Sequence, residues 1–192
     1  LGSTNGSFVN KEAVNDPLPL AEGDKVAIGH VVFKFTYQDA DDTEYHSMLR
    51  NMAIKDGLTR VYNKRYFSEV LEKECEYNRR NQVGLCVILL DIDHFKQIND
   101  TWGHPAGDSI LKNLAHLIDS EARGYDVFAR YGGEEFVFLL RGSPLLAAVQ
   151  MAERVRKEVE DHVFVYDNLD LKITVSLGVT FWGGESPMTA VE

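Results

Sequence analysis

The chain has 192 residues, 44% of them hydrophobic, with 20 Lys and Arg against 30 Asp and Glu, a formal charge of −10 and a pI near 5.1. That size accommodates one core of about 100 to 150 residues with a piece left over, and the acidic balance argues against a nucleic-acid partner, whose phosphates are neutralised by clustered Lys and Arg. Cys75 and Cys86 lack the paired spacing of a zinc site or a disulfide framework, which fits a reducing cytoplasm, and no run of about 18 apolar residues marks a membrane span.

Residues 1–38 read as short strands punctuated at Asn5-Gly6, Asp16-Pro17 and Gly23-Asp24, closing on Val31, Phe33 and Phe35 at the two-residue period of a strand. They fit half of a β-sandwich. Residues 39–55 begin acidic and then place Tyr45, Met48, Leu49, Met52 and Ala53 on one helical stripe, which predicts a linker helix able to pair with a copy of itself. From Asp56 the pattern changes. A helix is expected from about Lys64 to Arg80, and the apolar run Val83 to Leu90 predicts a buried strand. Ile110, Leu111, Leu114, Leu117 and Ile118 share one face of a second helix. Val127 to Tyr131 and Glu135 to Leu140 predict two strands joined through Gly132-Gly133, a dipeptide suited to the positive φ of a tight hairpin. Leu145, Val149, Ala152, Val155 and Val159 mark a third helix, and the alternation from Leu171 to Phe181 a final strand. The order β-α-β-β-α-β implies an α+β, ferredoxin-like fold, an antiparallel sheet carrying its helices on one face.

The acidic residues fall where that fold would gather them. Asp91 and Asp93 stand two apart at a strand end, and Glu134 and Glu135 flank the hairpin turn, so three or four carboxylates are expected to converge and repel one another unless a cation lies between them. Oxygen ligands without sulfur or a histidine cluster favour Mg²⁺. Lys96 and the backbone N–H groups of His94 and Phe95 are placed to meet a phosphate above such an ion. Asn99 and Asp108 supply the amide and the carboxylate that a guanine edge requires. The bland alternative for each is a solvated cap or turn residue.

The segments Asp91-Ile-Asp-His-Phe-Lys-Gln-Ile-Asn99-Asp-Thr-Trp-Gly-His-Pro-Ala-Gly-Asp108 and Gly132-Gly-Glu-Glu-Phe136 resemble the GGDEF diguanylate cyclases. The resemblance extends from Asp56-Gly-Leu-Thr to Val175-Ser-Leu-Gly-Val179, and it assigns residues 56–192 to a cyclase domain. It implies that two GTP molecules condense to cyclic di-GMP in a homodimer, with Mg²⁺, or alternatively Mn²⁺, held by Asp91, Glu134 and the Ile92 carbonyl. Glu134, Glu135 and Lys96 would serve catalysis; Asn99, Asp108, His94, Phe95 and Lys96 would bind the substrate. Glu134 stands where the name-giving motif has Asp, which keeps the carboxylate. Arg123 and Asp126, with Arg154 as a further partner, resemble the family's inhibitory site for its product. The family continues past the last strand with an Ala-Lys and a Gly-Arg-Asn segment, and on that pattern the domain is expected to be C-terminally truncated and weakly active. Residues 1–38 resemble the C-terminal half of a forkhead-associated (FHA) domain, which implies a phosphothreonine-peptide partner with Thr4 and Asn5 in the reading loop. The alternative to a cyclase is a non-catalytic cyclic di-GMP receptor or scaffold.

Overall fold

The structure is a computed structural model that describes residues 6–36, 48–49, 51–183 and 189–191. Backbone packing divides the chain into two units, Leu1–Arg50 and Asn51–Glu192. Thr4, Asn5 and much of the expected linker helix lie outside the described residues; within that stretch, residues 48–49 and 51–54 are helical.

In the first unit β1 (Ser7–Val9), β2 (Glu12–Ala13), β3 (Lys25–Ile28) and β4 (Val31–Lys34) form one antiparallel sheet in the order β2-β1-β3-β4. Asn10 and Lys11 both take positive φ, 53° and 75°, in the two-residue turn between β1 and β2, which matches the twist of the strands it joins. Asn10 then donates from Nδ2 to Asp24 at 2.8 Å and accepts from the Lys25 N–H at 3.0 Å, pinning that turn to the start of β3. Ile28, Val31, Val32 and Phe33 remain exposed, so the sheet lacks a second layer among the described residues of this unit.

The second unit is built on a six-stranded sheet. Its elements are β5 (Tyr62–Asn63), α1 (Lys64–Asn81), β6 (Leu85–Ile92), α2 (Phe95–Trp102), α3 (His104–Asp119), β7 (Val127–Gly132), β8 (Glu135–Arg141), α4 (Leu145–Asp161), β9 (Phe164–Tyr166), β10 (Leu169–Leu171), β11 (Val175–Trp182) and β12 (Thr189–Val191). The sheet order is β12-β11-β6-β8-β7-β5. The four central strands are mutually antiparallel, and β5 joins the edge in parallel to β7.

Alternation along β6 and β8 sorts their side chains between two apolar layers. Cys86, Ile88, Leu90 and Ile92 of β6 and Phe136, Phe138 and Leu140 of β8 pack with Ile110, Leu114, Ala148 and Val155 of α3 and α4. Leu85, Val137 and Leu139 turn the other way and meet Phe67 and Val70 of α1. The two helices of the β-α-β-β-α-β unit therefore share a face, as that order predicts, while α1 covers the opposite one. The Asn63 side chain accepts from the Tyr66 N–H at 2.9 Å and starts α1 as its N-cap.

The expected last strand divides in two. Asp167 and Asn168 take φ of 47° and 61° and turn β9 into β10 as a separate hairpin. Lys172 then reaches back to the carbonyls of Glu160 and Asp161 at 3.2 and 3.0 Å. These bonds satisfy the open C-terminal end of α4, and residues 172–174 form the connection between β10 and β11.

Candidate functional site

The end of β6 is bracketed by the tip of the β7–β8 hairpin on one side and the start of β11 on the other. Asp91 stands directly across from Glu135 in the ladder, and Glu134 occupies the turn beside it. Burial first, then the charges of Glu134, Glu135 and Asp93, push the Asp91 carboxyl above its ordinary range. That is the signature of anions gathered without a counter-ion. Among the described residues no three His, Cys, Asp or Glu side chains close a metal cage by themselves. The expected donor set, the Asp91 and Glu134 carboxylates with the Ile92 carbonyl, has few protein ligands, all of them oxygen, a set that would suit Mg²⁺ completed by water and phosphate.

Asp93 departs from the expected convergence. Its two oxygens accept from Thr174 Oγ1 at 2.6 Å and Ser176 Oγ at 2.7 Å, bonds that hold its carboxyl below the ordinary range. The strand ends at Ile92, so the same-face rule for residues two apart does not carry through to Asp93.

Beyond Asp93 the chain reverses. His94 takes the left-handed conformation at φ 57° as the N-cap of α2, a region that non-glycine residues visit rarely and that points to a local requirement. Phe95 buries its ring in the core, whereas His94 and Lys96 are exposed. Asn99, half-buried in the last turn of α2, lies against Gly107 of α3, and Asp108 follows on the exposed side. The two expected guanine contacts are therefore brought to one seam. Only glycine allows this approach: a Cβ at Gly107 would overlap Asn99 Oδ1 and crowd the Phe95 ring at 3.0 Å. If Asn99 contacts a guanine base, as the resemblance implies, Gly107→Ala is expected to displace it and raise the KM for GTP about tenfold, a loss on the scale of one hydrogen bond to a bound base. Steady-state kinetics checks this, with circular dichroism to establish that the helices persist.

Two determinants were not legible in the spacing. Arg130, on β7, donates from Nε and Nη2 to the Gly133 carbonyl at 2.9 and 2.7 Å, and from Nη1 to Asp56 at 3.2 Å. Asp56 also accepts from the N–H groups of Leu58 and Thr59 and from the Thr59 hydroxyl. One guanidinium thus ties the hairpin tip carrying Glu134 to the turn that opens the domain. Within the tip only Gly133 takes positive φ, 47°; Gly132 ends β7. The other determinant is the Thr174–Ser176 pair that engages Asp93.

Among the described contacts Arg123 and Asp126 form no side-chain ion pair. Asp126 is buried and accepts from the Arg123 and Arg141 N–H groups at 3.2 and 3.3 Å, while the Arg123 guanidinium donates to the Tyr125 hydroxyl at 2.9 Å. Arg154 is held by Glu121 at 2.8 Å. An exposed arginine, a structural aspartate and an arginine already engaged therefore surround this turn. Trp102 is 44% exposed and lines a cavity of about 530 Å³ with Asp93, His94 and Thr174. No helix among the described residues is long and apolar enough to cross a membrane.

Comparison with known proteins places this geometry in context. Residues 53–192 match the family model "Diguanylate cyclase, GGDEF domain". Diguanylate cyclase A of Treponema denticola is 39% identical over 138 residues, 70% of this chain and 37% of that protein. Diguanylate cyclase DgcP of Pseudomonas aeruginosa is 40% identical over 156 residues, 80% of this chain and 23% of its own length. The chain thus spans well under half of these relatives. Among solved structures, the coiled coil and GGDEF domain of DgcB from Caulobacter crescentus in complex with c-di-GMP superposes with a TM-score of 0.70 at 31% identity, covering 75% of this chain and 77% of that one. Diguanylate cyclase SiaD from Pseudomonas aeruginosa, in complex with its activator SiaC, gives 0.69 at 37% identity, covering 76% and 56%.

Proposed function

Because the chain belongs to the diguanylate cyclase GGDEF family, we propose that it condenses two GTP molecules into cyclic di-GMP, in the cytoplasm where GTP and Mg²⁺ are available. The observation that carries this reading is the set of carboxylates at the hairpin, Asp91 across the ladder from Glu135 with Glu134 in the adjoining turn, followed closely in the chain by the left-handed His94 that opens α2. Asp91, Glu134 and the Ile92 carbonyl are the residues to hold Mg²⁺, or Mn²⁺ in its place. When bound, the ion lowers the pKa of the attacking hydroxyl and offsets charge on the leaving group.

The chain's own residues supply the rest. Lys96 and the N–H groups of His94 and Phe95 hold the triphosphate, Asn99 and Asp108 orient the guanine, and Glu135 keeps the anionic field around the site. Each 3′-oxygen forms a bond to the other molecule's α-phosphorus as the bond to pyrophosphate breaks, and the hydroxyl proton passes to solvent. One domain offers one half of this arrangement, so two chains face each other and their geometry sets the rate.

Two finer readings follow from the residue patterns. Arg123, Asp126 and Arg154 form a product-binding site, supported by the exposed guanidinium of Arg123 and the proximity of Arg154 to the Glu121 turn. The first unit is part of an FHA domain that reads phosphothreonine peptides, supported by its antiparallel sheet and the exposed apolar face of β4.

The test of the main reading is direct. Purified protein given GTP and Mg²⁺ is expected to release two pyrophosphates for each cyclic di-GMP, and chelation with EDTA is expected to stop both. Absence of product together with tight cyclic di-GMP binding would establish the receptor instead.

A further inference from the structure

Three contacts fasten the residue after β6 to the start of β11. The Asp93 N–H donates to the Thr174 carbonyl at 3.0 Å, and the two carboxylate oxygens take the Thr174 and Ser176 hydroxyls at 2.6 and 2.7 Å. All three belong to strand neighbours already aligned by the pairs Val175 with Ile92 and Ser176 with Asp91. Thr174 immediately precedes β11 and Ser176 is its second residue, and their two hydroxyls meet one carboxylate. Both side chains are exposed, where water competes for such groups, yet both bonds have the length of a full charge-assisted hydroxyl–carboxylate bond.

The consequence falls on the peptide before Asp93 and the turn after it. In a trans peptide the carbonyl points opposite to the N–H. With the Asp93 N–H fixed toward β11, the Ile92 carbonyl is aimed at the β8 side, where the ladder ends at Asp91 and Glu135. On the other flank, His94 must hold φ at 57° for the following N–H groups to open α2, and a sparsely populated conformation persists only where its surroundings enforce it.

We propose that the Thr174–Asp93–Ser176 grip is a positioning device for the metal- and phosphate-binding turn, and that Asp93 acts through Ile92 and His94 rather than as a ligand. The inference rests on the reading of Ile92 and the His94–Phe95 N–H groups as contacts for Mg²⁺ and triphosphate. It separates the two aspartates of the Asp91-Ile92-Asp93 triplet by role, one binding and one holding.

The test compares Thr174→Val/Ser176→Ala with Thr174→Ser and the unaltered chain. A non-hydrolysable GTP analogue is titrated with and without Mg²⁺, and amide hydrogen exchange is followed at residues 93–97. The double variant is expected to lose about 10- to 100-fold of the affinity seen with Mg²⁺, the range typical of residues that orient a metal's ligands, to lose less without Mg²⁺, where only the His94–Phe95 contacts are at stake, and to exchange faster at 93–97. Thr174→Ser, which keeps the hydroxyl, is expected to match the unaltered chain. Equal Mg²⁺ enhancement and equal exchange in the double variant would overturn the proposal, as would a loss by Thr174→Ser as large as that of the double variant. Binding and exchange are read without turnover, so failure of the cyclase reading shows as absent product in the unaltered chain, whereas failure of the grip shows as unchanged exchange in the variant.

Discussion

Asp91→Asn is expected to lower the rate of cyclic di-GMP formation about 10³-fold or more while raising the melting temperature of the Mg²⁺-free protein. The two effects share one cause. Burial and the charges of Glu134, Glu135 and Asp93 raise the Asp91 carboxyl, so ionising it is harder in the fold than in the unfolded chain. A carboxyl raised in this way lowers stability above its folded value, and the penalty disappears as pH falls below the unfolded value of about 3.9. Asparagine removes that penalty at neutral pH and, with it, the proposed ligand for a cation that would otherwise relieve it. Added Mg²⁺ should therefore raise the midpoint of the unaltered protein, by preferential binding to the folded state, and leave that of Asp91→Asn nearly unchanged. Thermal melts at pH 7 and near pH 4, each with and without Mg²⁺, check the sign. At the lower pH the stability gap between the metal-free proteins should shrink. A variant no more stable than its parent at pH 7 would mean that the carboxylates do not strain one another.

The parts of this domain that the sequence reveals are those fixed by local rules. The stripe on Ile110, Leu114 and Ile118 is helical because one face meets the core, and the unbroken apolar run from Phe136 to Leu140 is visible because β8 is buried on both sides by different helices. Gly133 signals the hairpin because the turn needs its positive φ. The candidate metal and phosphate residues are legible because they crowd into the short stretch from Asp91 to Asp108 and one turn. The missing parts depend on distance in sequence. Arg130 reaches Asp56 across 74 residues and Thr174 reaches Asp93 across 81, and neither arginine nor threonine at those positions differs from an ordinary strand residue until the sheet order is known. Lys172 misled for the same reason. Its neighbours Leu171 and Ile173 keep the two-residue period, but its ammonium is spent on the end of α4, and the strand is interrupted between Leu171 and Val175. Gly107 stands between these cases, since a glycine inside a helix suggests a close approach but does not name what approaches it.

Arg130→Ala is the substitution with the widest expected reach, because one side chain serves two elements that carry no other charge link in common. Its guanidinium and Asp56 are 17% and 24% exposed, enough burial that removing the arginine leaves a poorly solvated carboxylate, and it also strips the Gly133 carbonyl of two donors. A loss of about 2 to 4 kcal/mol is expected from those terms, or roughly 5 to 12 °C in melting temperature for a domain of this size. The pH dependence distinguishes this from a simple packing loss. Burial raises the Asp56 carboxyl, but the Thr59 N–H, the Thr59 hydroxyl and the Arg130 charge together outweigh it and hold the group below its ordinary range. Such a group adds stability above its unfolded value of about 3.9 and loses it as pH falls through the lower folded value, so the gap between the variant and its parent should narrow below about pH 4. Activity should fall about 10²-fold even at temperatures where the variant is fully folded, since a shift of about 1 Å in the hairpin tip moves Glu134 out of line with Asp91. Arg130→Lys keeps the charge but not the fork that spans both acceptors, and it should recover part of the stability and little of the rate. Full activity in folded Arg130→Ala would show that the tip holds Glu134 in place without the Asp56 turn.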